Sequence, residues 1–169
     1  MSAPTHFDNL LETTTVCCCE CQTLMRIPLA AWGPGDYWCG GGQCVAVVHV
    51  CVCGSLNIGR APQVFFDKLE ALIQEGVAIE IGDAPGGDKT AQRYLAGRGY
   101  RNVTVWHIGL APRNNLGHWP THPVRGTYRD RDYAMCAAST RGLALWNGTS
   151  PGTARNRDQL GDRMDVVRV

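Results

Sequence analysis

From residue 45 onward, apolar and polar positions fall into blocks of alternating kind. Val45 to Cys53 (VAVVHVCVC) is β-branched and mostly apolar, and it stops at Gly54-Ser55. Such a run predicts a buried strand. Pro62 then opens a segment in which Val64, Phe65, Leu69, Leu72 and Ile73 recur at helical spacing until Gly76. Val77 to Ile81 predicts a second strand, stopped by Gly82, and a second helix is expected from about Asp88 to Ala96, closed by Gly97. Val103 to His107 predicts a third strand. A long polar loop with Pro112, Pro120 and Pro123 is expected from Gly109 to about Thr127. There follow an expected helix around Arg129 to Ala138, a strand at Leu143 to Trp146, a turn at Asn147 to Gly152, a short helix from about Thr153, and a last strand at Val166 to Val169. Strands alternating with helices at this spacing imply right-handed crossovers. The expected fold class is α/β: a Rossmann-like three-layer domain with a mostly parallel sheet.

The first 44 residues have a different texture. Residues 1–16 are polar and predict a loose arm or one edge strand; residues 17–44 carry Cys, Gly and Trp with a turn at Gly33 to Gly35. The expected organisation is therefore an N-terminal arm and cysteine-rich segment over 1–44 and an α/β domain over 45–169. An apolar share of 44% suffices for a core. Sixteen basic residues against fifteen acidic ones give a net charge of +1. That balance exerts no general pull on nucleic acid or anionic lipid and argues against a nucleic-acid partner, with a local basic patch as the alternative. The best apolar run, Val45 to Val52, is too short to span a bilayer and contains His49. The N-terminus lacks a basic start followed by an apolar block. A cytoplasmic protein with no membrane partner is expected.

In a reducing compartment, clustered cysteines more often hold metal than form bridges. Six of the nine cysteines lie between Cys17 and Cys44. Cys18 and Cys21 form a C-x-x-C knuckle, Cys39 and Cys44 a C-x4-C pair, and seventeen residues separate the two. Four thiolates so arranged can close a tetrahedral structural Zn2+ site with no open position for catalysis. Cys17 and Cys19 leave the choice of thiols open. Free thiols beside a surface of Trp32, Tyr37 and Trp38, or disulfides, are the alternatives. Cys51, Cys53 and Cys136 sit in apolar patterns and read as ordinary buried thiols.

Two glycine turns join a strand to a helix, at the sheet edge where α/β proteins bind ligands. The first is Gly82-Asp83-Ala84-Pro85-Gly86-Gly87-Asp88-Lys89-Thr90. Free N–H groups in the first turn of the following helix favour phosphate. A Walker A loop is excluded because Asp88 intervenes between Gly87 and Lys89; a plain turn with Asp88 as helix N-cap is the simpler alternative. The second turn, Asn147 to Thr153, adds the hydroxyls of Ser150 and Thr153. Arg113 and Asn114, just past the third strand, are placed to meet a phosphate or a base. His118 and His122 have an H-x3-H spacing, but Pro120 between them argues against a helix and against a metal pair.

The stretches GDAPGGDKTAQRYLAGRGYRNVTVW, Arg113-Asn114-Asn115 and RDRDYAMCAASTRGLALWNGTSPGT resemble the SLOG superfamily. That is the Rossmann-like fold shared by the DNA-processing protein DprA and the Lonely Guy phosphoribohydrolases, and the resemblance is nearest to the cpYpsA/YspA-related branch of bacteria and phages. Gly82, Asp83, Ala84, Gly87 and Asp88 match its first motif. Asp132 and Met135 match its helix, with Arg131 in place of Lys. Trp146, Gly148, Ser150, Gly152 and Thr153 match its second motif, with Asn147 in place of Asp. Gly54-Ser55 match the end of its first strand; the Arg that often follows is replaced by Leu56, with Arg60 the nearest substitute. The resemblance implies binding of a nucleotide or nucleotide-derived small molecule, as a sensor or sequestering module, and a homodimer. The ligand set it suggests is Gly54, Ser55, Arg60, Gly82, Asp83, Ala84, Gly86, Gly87, Asp88, Lys89, Arg113, Asn114, Asp132, Gly148, Ser150, Gly152 and Thr153. The alternatives are an N-glycosidase acting on nucleoside 5′-monophosphates and a DprA-like DNA-binding protein. Asn156 stands where the Lonely Guy enzymes carry their catalytic glutamate, and an amide cannot serve as a general base. Asp83, Asp88 or Asp132 would have to substitute.

Overall fold

A computed structural model describes residues 13–17, 24–28 and 47–169, and the chain divides into two units, 1–47 and 48–169. In the first unit, β1 (Thr13–Cys17) pairs antiparallel with β2 (Leu24–Pro28), with Thr15 opposite Arg26. The sequence pattern anticipates at most one strand here. The expected zinc ligands Cys18, Cys21, Cys39 and Cys44 all lie outside the described residues.

The second unit alternates strand and helix: β3 (His49–Gly54), α1 (Gln63–Glu75), β4 (Ala78–Gly82), α2 (Gly87–Gly97), β5 (Val103–Ile108), β6 (Thr121–Val124), α3 (Tyr128–Ala137), β7 (Arg141–Trp146), α4 (Pro151–Leu160) and, after a 3-10 turn at Gly161–Arg163, β8 (Met164–Arg168). The six strands form one sheet in the order β6-β5-β4-β3-β7-β8, and every pairing is parallel. This is the expected Rossmann-like α/β architecture. The chain leaves β3 toward β4 on one side and later returns to place β7 on the other. The direction of winding thus reverses between β3 and β7, and the crevice beyond their carboxyl ends is where such sheets receive ligands.

Local signals set the helix ends. Gly76 takes the left-handed conformation (φ 70°) and its N–H closes α1 on the carbonyls of Leu72 and Ile73. Thr127 and Asp130 form a reciprocal capping box at the start of α3. Pro151 occupies the first turn of α4, two residues before the expected start. β6 lies inside the segment expected to be a loop. It is a four-residue edge strand containing Pro123, which an edge tolerates and an interior strand does not.

Apolar side chains cover both faces of the sheet. On one, Phe65 and Leu69 of α1 and Ala91 and Leu95 of α2 pack on Val50, Val52, Ile79, Ile81 and Val105. On the other, Met135 and Cys136 of α3 and Leu160 of α4 pack on Cys51, Cys53, Trp106 and Ala144. Cys51, Cys53 and Cys136 are buried free thiols. The Cys51 and Cys136 sulfurs lie 3.7 Å apart. Hydrogen bonding to Cys136 and Cys53, together with burial, raises the Cys51 pKa, so this thiol is held protonated. The buried Glu80 accepts from Trp106 Nε1 (2.6 Å) and pairs with His49 Nδ1 (2.8 Å). Among the described residues no helix is long and apolar enough to cross a membrane.

Candidate functional site

The first glycine turn brings two backbones together. A Cβ on Gly87 would collide with the Gly54 Cα, and one on Gly54 would lie 2.6 Å from the Gly87 Cα. Only glycine at both positions lets α2 rest on the end of β3. The Gly87 N–H donates to the Ser55 carbonyl (2.9 Å). The N-cap of α2 is Gly86 (φ 83°), not Asp88. Asp88 instead turns its carboxylate back into the protein, where Oδ1 accepts from the Gly54 N–H (3.0 Å) and Oδ2 from the Ala84 N–H (3.2 Å). Of the N–H groups expected to cradle a phosphate over Gly86 to Lys89, that of Gly87 is thus taken by the Ser55 carbonyl. This turn forms the floor of the cleft.

Above that floor lies a network of charges. Asp83, fully buried, receives three hydrogen bonds from Arg113: backbone N–H (2.9 Å), Nε (3.2 Å) and Nη2 (2.7 Å). Arg131 Nη1 donates to the same carboxylate (2.7 Å), while its Nε and Nη2 hold Asp132 Oδ1 (2.9 and 2.5 Å). Gly82 is needed beneath them, because a Cβ there would run into Asp88 Oδ2 and lie 2.7 Å from Arg131 Nη1. Burial works against ionisation of Asp83, but Arg113 and Arg131 outweigh it and keep its pKa below the ordinary value. Asp88 behaves in the opposite way. Burial pushes its pKa up to about 7 and the Asp132 charge adds to this, against the pull of Arg131 and the two backbone N–H groups. Burial also raises Asp132, against Arg131. The Arg113 guanidinium stacks on the half-exposed Tyr128 ring, 3.9 Å from its centroid.

The second glycine turn is organised by Asn147. Its Oδ1 accepts from the Thr149 N–H (3.1 Å), the Ser150 N–H (2.9 Å) and Ser55 Oγ (3.1 Å), while Nδ2 donates to the Asn57 carbonyl (2.9 Å). An aspartate could make the first three bonds but not the fourth, which gives the amide a structural reason here. The turn delivers the chain into α4. Ser150 makes no side-chain cap, and the Gly152 and Thr153 N–H groups in the first turn form no hydrogen bond among the described residues.

Both turns border one cavity of about 250 Å³ at the carboxyl edge of the sheet. Of the expected ligand residues, Gly54, Ala84, Asp88, Arg113, Asp132, Ser150, Gly152 and Thr153 line it. Ser55, Gly82 and Asp83 are buried behind its wall, and Gly86 and Gly87 serve the helix–strand contact. Asn114 Nδ2 donates to the Asp83 carbonyl (2.8 Å) and so braces the wall. Gly148 (φ 82°) belongs to the turn itself. Arg60 and Lys89 do not line the cavity: Arg60 is exposed on the loop after β3, and Lys89 is half-buried on α2. Sequence reasoning missed Tyr128, Arg131, Arg155 and Asn156 as cavity residues. Helical spacing offers one signal, because Gly152 and Asn156, four residues apart, share a face of α4. His118 is exposed with φ 52°, and His122 stacks on Trp106 with ring centroids 4.0 Å apart. Among the described residues no group of three or more His, Cys, Asp or Glu side chains is arranged to hold a metal ion. A second cavity, of about 480 Å³, lies at the amino edge. Its charges are internally matched, as in Lys68 with Asp165 and Arg141 with Glu75.

No protein-family model and no curated protein matches the chain. Its fold is similar to a solved structure of DNA processing protein A from Helicobacter pylori, a protein with a single-stranded-DNA binding mode. The identity is 17%, the TM-score 0.51, and the match covers 70% of this chain and 64% of that one. The chain thus spans less than two thirds of that protein, and the likeness is one of fold. It overturns the argument against a nucleic-acid partner: a protein with this architecture binds single-stranded DNA. Total charge is an average, and it is blind to arginines gathered at one cleft.

Proposed function

We propose that the carboxyl-edge cleft binds a nucleotidyl phosphate and that single-stranded DNA presents it. The observation that carries this reading is the meeting, in one cavity, of three features: the open N–H groups of Gly152 and Thr153, the cation of Arg155, and an Arg113–Tyr128 stack on the opposite wall. A helix N-terminus with unbonded N–H groups attracts an oxyanion. An exposed aromatic ring backed by a guanidinium is a platform for a base. The fold likeness favours DNA as the carrier. The two glycine turns and the all-parallel sheet support a SLOG-type reading of the chain.

A second reading is a free nucleotide bound in the same cleft, with cleavage of its N-glycosidic bond. The observation favouring it is Asp88, a cavity-lining carboxyl whose pKa is pushed up to about 7, where it could give or take a proton.

Fluorescence anisotropy with a labelled oligo-dT, repeated over a salt series and with unlabelled nucleotides as competitors, tests both. DNA binding predicts a log–log salt slope of about −0.7 per phosphate contact, with weakening by Arg155→Ala. Competition by mononucleotides at similar concentration, with free base appearing on chromatography, would select the second reading. A folded protein that binds neither oligonucleotide nor nucleotide would end both.

A further inference from the structure

One polar side chain on the α4 wall lacks a partner. Asn156 is 4% exposed and lines the cavity, yet its carboxamide makes no hydrogen bond among the described residues. Its nitrogen and oxygen are not sealed off, since Arg141 Nε is the sole fully buried side-chain N or O without a partner among the described residues. The amide thus keeps some accessible surface, on a residue that lines the cavity. Buried amides are nearly always hydrogen-bonded, and this one offers both donors and an acceptor.

The surroundings define what would complement it. Asn156 lies four positions after Gly152, a backbone rise of about 6 Å on the same helix face, so its amide sits beside the N–H groups that would hold a phosphate. Asp132 faces the same stretch of α4. Its Oδ1 is taken by Arg131, whereas Oδ2 forms no hydrogen bond and lies 3.9 Å from where a Cβ on Gly152 would be. The pair presents two acceptor oxygens and one amide donor. A phosphate brings no donor for either oxygen. The matching group is neutral, with two donors and an acceptor close together.

We propose that Asn156 and Asp132 form a specificity subsite beside the phosphate position, reading a donor-rich edge of the bound nucleotide. Two parts of a nucleotide carry that chemistry: the amino-bearing edge of a base such as adenine, which DNA offers, and a pair of sugar hydroxyls, which only a free ribonucleotide offers. The inference rests on the nucleotidyl-phosphate reading and adds the residues that choose among ligands.

Calorimetry on the full chain, wild type and Asn156→Leu, with pyrophosphate, ribose 5-phosphate, dAMP and dTMP as probes, tests it. Pyrophosphate affinity should stay within about twofold, while the ligand whose edge is read should lose about tenfold, the value of one or two buried hydrogen bonds. Loss for dAMP without loss for ribose 5-phosphate identifies the base edge; the converse identifies the hydroxyls. Because the Asn156 side chain bonds to nothing among the described residues, the substitution should leave the melting temperature nearly unchanged, and Asn156→Ser serves as a second variant if leucine is not accommodated. Equal losses for pyrophosphate and every nucleotide would mean that Asn156 only shapes α4, and no loss for any probe would remove its role; either result overturns the subsite alone. A wild-type protein that binds oligo-dT but none of the four probes would likewise overturn the subsite alone, whereas one that binds neither oligo-dT nor any probe would take the parent reading down with it.

Discussion

Asp88→Asn isolates a group that the fold keeps away from water while denying it a full countercharge. Asp88 is 2% exposed, and its pKa rises from 3.8 to about 7. A carboxyl raised in the folded state binds its proton more tightly there than in the unfolded chain. Its contribution to stability is therefore fully present below the unfolded value and is lost as pH rises through the folded one. The full difference is about 4 kcal/mol, of which about 2 to 3 kcal/mol is lost between pH 5 and pH 8. The test is the pH dependence of urea unfolding for both proteins, taken as a difference so that other titrating groups cancel. The substituted amide presents one oxygen where Asp88 uses two, so one of the Gly54 and Ala84 N–H groups loses its acceptor, a constant cost of about 1 to 3 kcal/mol at every pH. That cost sets the offset between the two curves and leaves their slopes alone. The stability of the wild type minus that of the variant should fall by about 2 to 3 kcal/mol from pH 5 to pH 8. Parallel curves would show that Asp88 titrates at an ordinary pKa and that the argument from burial is wrong.

Gly87→Ala should cost at least about 3 kcal/mol, because its Cβ would strike the Gly54 backbone, whereas Gly97→Ala, with open space at its Cβ, should be neutral or stabilise by about 0.5 kcal/mol; thermal melts compare the two. Arg131→Met should lower the urea midpoint by the equivalent of about 3 kcal/mol, since Asp83 keeps Arg113 but the partly buried Asp132 loses its hydrogen-bonded cation and keeps only the charge of Arg155 nearby, and Arg131→Met/Asp132→Leu should recover part of the loss. Metal analysis of the purified chain should find about one zinc, released when Cys18 and Cys21 are both replaced by serine; a folded, metal-free protein would dismiss the four-thiolate site.

The strands and helices that cross the middle of the domain are legible in the sequence because each obeys one period. β3, β4, β5 and β7 are buried on both faces and read as mostly apolar runs despite Glu80, Thr104 and His107, while α1 carries its apolar residues at helical spacing. β6 carries no such signal. Its residues Thr121, His122 and Pro123 are exposed, and it is a strand because the open edge of β5 offers a row of partners, a tertiary cause that no local window contains. The start of α4 escapes the pattern for a different reason. Pro151 reads as a turn residue, although a proline costs nothing where the helix has no N–H bond to lose.

At the cleft, the motif residues divide between the lining of the cavity and the wall behind it. The glycines of the first turn look like room for a phosphate; Gly54 and Gly87 instead make room for each other. The acids look like ligand contacts or caps, but Asp83 and Asp88 face inward to arginine and to backbone N–H groups, and of these three acids only Asp132 retains an unbonded oxygen at the cavity. Still open to a ligand at the cavity are two N–H groups, Arg155 and Asn156 on the α4 side, together with the Arg113–Tyr128 stack. This division explains how a chain of almost neutral total charge can still serve an anionic partner. Asp83 and Asp88 are consumed in holding the floor rigid, while the helix terminus and Arg155 carry positive potential that Asp132, itself bound to Arg131, offsets only in part. A polymer of phosphates would meet that potential at one edge of the sheet and nowhere in the average.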